Sequence, residues 1–357
     1  MFPDLHFVTQ TSVLLPIGLA LVLAIALGGL VAMLVPKIAD RIMPRPRETR
    51  LAEYLPFTRL WPDGRTIECK NGGLSRLFAI TGVDQNFLSR EDAAALYKIR
   101  RQLIDALQDV PVTLRIYTTR EPVAVPNESG FPNQLAQKIA SIWNSNFERA
   151  YITRTVIMLT VKQGHGTQAL DEAQTLIEAH LAKYGPVELT QNPDSSPSGD
   201  LTIGRFLGRL VSPVSKPAPS GFGDNLADAL CADEVEFLSN GRIVFRSGDR
   251  VKYASVLGIH RLGDTTSTEL SHHLAAINAE CTIFQTVDVE SKNRALITLT
   301  QNQRMKVSQS FSTDVVNQYD QAIAMIEGMD EDKSALVYFS ETVFLYGDSE
   351  EELAAAE

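Results

Sequence analysis

Between Val13 and Val35 the chain reads VLLPIGLALVLAIALGGLVAMLV, 23 residues without a charge. A helix rises about 1.5 Å per residue, so such a run spans a hydrocarbon core of about 30 Å with some tilt. A secretory signal peptide begins with a basic stretch and has a shorter apolar core. Here Met1 to Ser12 has no Lys or Arg and includes Asp4, and no small-residue cleavage site follows the run. The pattern therefore predicts a transmembrane helix over 13–35 behind a short external N-terminus, residues 1–12. Lys37, Arg41, Arg45, Arg47 and Arg50 follow the span, outnumbering Asp40 and Glu48. Basic flanks stay on the cytoplasmic side and sit near anionic headgroups, so 36–50 is expected to be a basic juxtamembrane linker with the body in the cytoplasm. Ala20, Ala24, Gly28 and Ala32 recur every fourth residue and would form a smooth stripe for helix association. Ordinary small-residue content explains the same spacing.

Beyond the linker the period changes. Ile67 to Lys70 and Leu74 to Ile80 flank Asn71-Gly72-Gly73, which predicts a hairpin. Ser89 to Asp92 approximates a capping box, with Asp where Glu is usual, and opens a helix that places Leu96, Ile99, Leu103 and Leu107 on one face. Val112, Leu114 and Ile116 alternate with Thr113, Arg115 and Tyr117 as in a half-buried strand. Helix is expected over 131–147, strand over 152–161 and helix over 167–184. The stretch SPVSKPAPSGFG, 212–223, is dense in Pro, Ser and Gly and reads as a linker between an α+β subdomain at 51–211 and a second at 224–350. In the second part, Asn240-Gly241 and Gly248-Asp249 predict tight turns between strands. Thr266 and Glu269 read as a capping box, 281–289 as a strand, 291–328 as helix broken near 310–313, and 336–346 as a final strand. The acidic run EELAAAE at 351–357 reads as a truncated tail that starts a helix. The whole predicts an α+β fold: a transmembrane helix, then mixed, largely antiparallel sheets with packed helices.

The 357 residues carry 33 Lys+Arg against 43 Asp+Glu, a formal charge of −10. An acidic surface argues against direct nucleic-acid binding, which needs a basic face. Cys69, Cys231 and Cys281 are odd in number and scattered, which fits buried thiols in a reducing compartment and not a disulfide framework.

The nearest approach to a phosphate loop is Gly258 to Thr265, but Asp264 stands where a lysine must reach the phosphates. A carboxylate there repels them, and a turn accounts for the glycines. No Walker A or B motif is found, which predicts no ATP hydrolysis by this sequence. His260, His272, His273 and Cys281 are near in sequence, yet adjacent His272 and His273 point about 100° apart on a helix and do not easily share one ion. No metal site, cofactor site or catalytic residue is expected.

The order of several short motifs carries a resemblance. They are Leu55-Pro56-Phe57 in LAEYLPF, Asp63-Gly64 before a strand, Gly72 and Leu74, and Gly82-Val83-Asp84 before a helix. Further on come Tyr253 to Leu257, the Thr-rich turn before Glu269, Gln285, and 320–326 followed by 336–347. Over about 51–350 the chain resembles the N-terminal region of the CagE/TrbE/VirB family, the large ATPases of type IV secretion and conjugation. The resemblance implies a protein at the bacterial inner membrane, single-pass here, with its N-terminus periplasmic and its body cytoplasmic. It implies inner-membrane subunits of a secretion channel as partners, self-association, and a docking or assembly role. ATP and magnesium would belong to a motor domain further along a longer chain. The competing reading is an unrelated membrane-tethered enzyme or adaptor. Its mark would be a deep pocket of convergent polar groups with perturbed pKa values.

Overall fold

The computed structural model describes residues 50–83, 89–108, 110–123, 133–145, 150–192, 201–219, 225–258, 277–290, 292–308, 313–328 and 336–357. The expected span at 13–35, and most of its flanks, lie outside them. Two compact units result. In the first, Met1–Glu53, the described part is a 3-10 turn at Leu51–Glu53 following Arg50. The second runs from Tyr54 to Glu357.

The second unit is organised on a single sheet of 11 strands, and each strand pairing described is antiparallel. In chain order β1 (Phe57–Leu60), β2 (Ile67–Cys69) and β3 (Leu74–Ile80) form a meander. Helix α1 (Arg90–Ala106) leads to β4 (Val112–Val123), α2 (Gln134–Ser145), β5 (Ala150–Val161), α3 (Thr167–His180) and short β6 (Pro186–Glu188). Helices α4 (Ile203–Val211) and α5 (Leu226–Leu230) precede a second meander, β7 (Glu234–Phe237), β8 (Ile243–Ser247) and β9 (Arg250–Gly258). Then come β10 (Glu280–Glu290), α6 (Lys292–Ser308), α7 (Thr313–Glu327), β11 (Leu336–Gly347) and α8 (Glu350–Ala356).

The spatial order is β1-β2-β3-β5-β4-β10-β11-β9-β8-β7, with β6 beside β3. From the central β4–β10 seam outward, one side runs β4, β5, β3, β2, β1 and the other β10, β11, β9, β8, β7. Each half repeats one plan: a three-stranded meander, a long strand, a helical insertion, its antiparallel return strand and a helix. The seam is itself antiparallel, so the two halves are related in topology by an approximate twofold.

Alternation along the strands builds a core on each face. Leu74 and Phe78 of β3, Val112 and Leu114 of β4, and Ile157, Leu159 and Val161 of β5 face Leu103 of α1 and Leu170, Ala173 and Ile177 of α3. Leu77, Val156 and Met158 point the other way, against Ile203, Phe206 and Leu207 of α4 and Leu226 and Leu230 of α5. Smaller clusters continue both faces past the seam: Leu353 of α8 packs on Cys281, Ile283, Val343 and Leu345, and Val214 on Ile243, Phe245 and Ala254.

The mixed, antiparallel α+β character read from the sequence is what the chain adopts. The Asn71-Gly72-Gly73 hairpin forms, with Gly72 at φ +74°. Ser89 caps α1 by accepting from the Asp92 N–H, and Leu96 and Leu103 are buried. Helices α6 and α7 occupy most of the expected 291–328, and the break expected near 310–313 falls, but for Thr313, outside the described residues. The expected helix opened by Thr266 lies outside the described residues, except that 277–279 are not helical. The Pro/Ser/Gly stretch is described through 219, and that part is a packed strap. Ser212 Oγ donates to Leu230 O at 2.8 Å, and the Asp233 carboxylate accepts from the Val214 and Ser215 N–H groups at 2.8 and 2.9 Å. Strands from before and after this strap lie side by side in the sheet.

Candidate functional site

The stripe Ala20, Ala24, Gly28 and Ala32 and the basic residues Lys37, Arg41, Arg45 and Arg47 lie outside the described residues. Arg50 is exposed, and its carbonyl accepts from the Glu53 N–H. No helix among the described residues is long and apolar enough to cross a membrane. Among the described residues no group of His, Cys, Asp and Glu is arranged to hold a metal ion. His260, His272 and His273 are not among them.

What the fold does bring together is apolar surface. Helix α2 joins β4 to β5 and carries Leu135, Ile139 and Ile142, which at i, i+4 and i+7 share one face. They are 65%, 58% and 56% exposed. In the other half α6 and α7 join β10 to β11 and pack on each other, with the Gln303 amide donating to Asp320 and Lys292 Nζ to the Glu327 carbonyl at 3.2 Å. Ile297, Met305, Val307 and Met325 remain exposed on them. Because β4 and β10 run antiparallel, these two insertions leave the central strands at opposite ends of the sheet. The β11 edge adds to the second. β9 pairs with β11 only over Thr342–Gly347, so among the described strands Leu336–Glu341 has β10 as its one neighbour. Val337, Tyr338 and Phe339 on that stretch are exposed. Among the described residues this stretch is an edge with large apolar side chains, a kind of surface on which strands and apolar partners can pair.

Several buried polar groups are occupied in holding the fold. Arg76 has a side chain only 4% exposed, and its Nη1 donates to Asp171 Oδ1 at 2.7 Å and Gln174 Oε1 at 2.6 Å. Burial, acting first, pushes the thiols of Cys69, Cys231 and Cys281 up, away from the reactive thiolate. Lys252 pairs with Glu280 across β9 and β10.

One cavity of about 290 Å³ lies between α4 and the sheet. Leu207, Leu210 and Val211 roof it, and Arg115, Tyr117 and Thr160 stand on its floor. Leu55, Pro56 and Phe57 of the LPF motif are at its rim. Arg115 Nη1 donates to Thr160 Oγ1 at 2.7 Å. The Tyr117 ring meets Phe284 at 5.0 Å and Phe206 at 5.7 Å, and burial pushes its phenol up to about 12. Among the described residues the cavity thus presents a guanidinium, hydroxyl groups, the Asn71 amide and the Cys69 thiol, a set that can hold an anion.

Two family models match the chain in tandem. Residues 65–167 match the N-terminal domain of the type IV secretion system ATPase VirB4/TrbE. Residues 202–356 match the CagE, TrbE, VirB family, a component of the type IV transporter system. Both define the same class, a part of a type IV transport machine, and together they take in well over half of the chain. The chain belongs to this VirB4/TrbE family of type IV secretion components. No match is found among curated proteins.

Sequence reasoning missed the apolar stripe of α2, although the spacing of Leu135, Ile139 and Ile142 was there to be read. It also missed the cavity, whose arginine looked like the solvent side of a half-buried strand.

Proposed function

We propose that this chain is the docking and assembly module of a type IV secretion ATPase, joining the motor to inner-membrane subunits of the channel. One observation supports this most: large apolar side chains, kept out of a complete core, concentrate on helical insertions at opposite ends of the sheet. Interfaces bury such residues, while a monomer gains nothing by exposing them. On this reading Val13 to Val35 anchors the module, with its N-terminus periplasmic and its body cytoplasmic, and the basic residues from Lys37 to Arg50 hold the body at the headgroups. ATP and magnesium are handled by a motor domain and not by these residues, since Asp264 replaces the phosphate-loop lysine.

The test is a pair of triple variants in the full chain, Leu135, Ile139 and Ile142→Ser on α2, and Met305, Val307 and Met325→Gln on α6 and α7. Each is expected to keep the parent's thermal midpoint, because these side chains contribute little to the core. Each is expected to lose co-purification with the channel subunits from membranes. Undiminished co-purification of both variants overturns the reading. A reporter active only in the periplasm, fused after Glu357, checks the anchor's orientation and should be silent.

A further inference from the structure

The alternation of β4 sends Val112 and Leu114 into one core and turns Thr113, Arg115 and Tyr117 to the opposite face. An arginine there belongs in water, but α4 covers that face and leaves Arg115 only partly exposed against the cavity floor. None of the described ion pairs reaches it; the hydrogen bond to Thr160 Oγ1 is its one described side-chain bond. Among the described residues no acidic side chain lines the cavity. Among the described residues the Tyr117 hydroxyl has one hydrogen-bond partner, the Met158 sulfur at 3.9 Å, a weak acceptor. A covered guanidinium is stabilised by an anion or by water, and the remaining walls here are mostly aliphatic and aromatic.

We infer that the cavity beneath α4 binds a small organic monocarboxylate with an apolar body, its carboxylate on Arg115 and its body under Leu207, Leu210 and Val211. Several features set the class. A single cation matches a monoanion better than a phosphate, whose second charge would have no partner. The donors of Arg115, Tyr117 and Asn71 suit an acceptor-only headgroup. An apolar cavity of roughly 150 Å³ holds a benzene, so about 290 Å³ takes a body of about two rings or the equivalent chain. The inference does not depend on the docking role, which concerns other surfaces.

The probe is naphthalene-2-carboxylate, with naphthalene-2-carboxamide as its neutral counterpart. Both are titrated calorimetrically into the full chain in lipid nanodiscs, and empty nanodiscs are subtracted. The carboxylate is expected to bind one site with a dissociation constant below about 1 mM, and the carboxamide about tenfold or more weaker, the scale of one hydrogen bond to a charged group. Arg115→Gln should bring the carboxylate down to the carboxamide's affinity while leaving the carboxamide unchanged, which also reports an intact cavity. Val211→Trp, which fills the roof, should abolish binding of both. Should Arg115→Gln lose the carboxamide as well, the parent's ratio of the two affinities decides. The inference is overturned by equal affinities in the parent, by carboxylate binding unaffected in Arg115→Gln, or by no saturable binding up to about 5 mM, a limit beyond which affinity is too weak to be specific.

Discussion

At the scale of single residues, the turns and close approaches make the sharpest tests. Asp63 closes the β1–β2 loop. Its carboxylate accepts from the N–H groups of Arg65 and Thr66 at 3.0 Å and from the Thr66 hydroxyl at 2.6 Å. Partial burial opposes ionisation, but these bonds, with Arg65 nearby, outweigh it and hold the carboxyl below its usual range. A lowered folded pKa gives stability that is present above the unfolded value, about 3.9, and lost as pH falls through the folded one. Asp63→Asn should therefore cost about 1 kcal/mol at pH 7 in urea unfolding, and the difference should narrow below about pH 4. Gly208 sits on α4 where a Cβ would overlap the Pro217 carbonyl oxygen of the strap. Gly208→Ala should destabilise by about 1–3 kcal/mol despite alanine's better helix propensity, because the neighbour is backbone. Gly258→Ala, at a strand end with open space around it, should stay within about 0.5 kcal/mol and serves as the control. Asp63 stood out in the sequence as part of the Asp63-Gly64 motif before a strand, and its role in closing the turn was not read. The demand on Gly208 was not visible there, since it arises from a segment folded back across the helix.

At the scale of elements, legibility followed the locality of the signal. The hairpins at Asn71-Gly72-Gly73, Asn240-Gly241 and Gly248-Asp249 and the cap at Ser89 are fixed by adjacent residues, and each appears where it was read. Ser89→Ala should remove the bond from the Asp92 N–H and cost about 1 kcal/mol of stability, measurable by thermal unfolding. Helix α4 was not read, because Ile203-Gly204-Arg205-Phe206-Leu207-Gly208 carries two glycines that argue for a loop. Packing reverses that local preference: Gly204 and Gly208 admit the carbonyls of Pro219 and Pro217, and Phe206 and Leu207 fill the core beneath. The cavity floor was hidden for the same reason. A polar alternation on β4 signals solvent unless something covers it, and the cover lay about 90 residues away in an unread helix. Strand β6, three residues long, has no room for a periodic signal.

At the scale of the whole molecule, the repeated plan of the two halves makes the seam the decisive interface. Repetition was not legible in the sequence, because the loops differ in length, WPDGRT and KNGG against LSNGR and GD, and one insertion holds a single described helix where the other holds two. No fixed period survives such differences. The seam itself is well made. β4 and β10 pair from Cys281↔Arg120 to Asp288↔Thr113, Thr113 Oγ1 donates to Asp288 Oδ1 at 3.1 Å, and Lys162 pairs with the same carboxylate at 3.0 Å. Val289 enters the core of the first half, and Phe284 stacks on Tyr117. Separated halves would each present a long unpaired edge, which promotes aggregation. Fragments 50–222 and 224–357 should therefore be poorly soluble when expressed singly and should co-purify as a one-to-one complex when expressed together. Phe284→Ala should weaken that complex. The side chain is only partly buried, so the loss should fall near or below the lower end of the roughly 3–5 kcal/mol seen for truncating a core phenylalanine. Size-exclusion chromatography of the co-expressed pair, with and without the substitution, is the measurement. Two fragments that are soluble alone and ignore each other would mean that the halves are independent domains and that the seam contributes nothing to their stability.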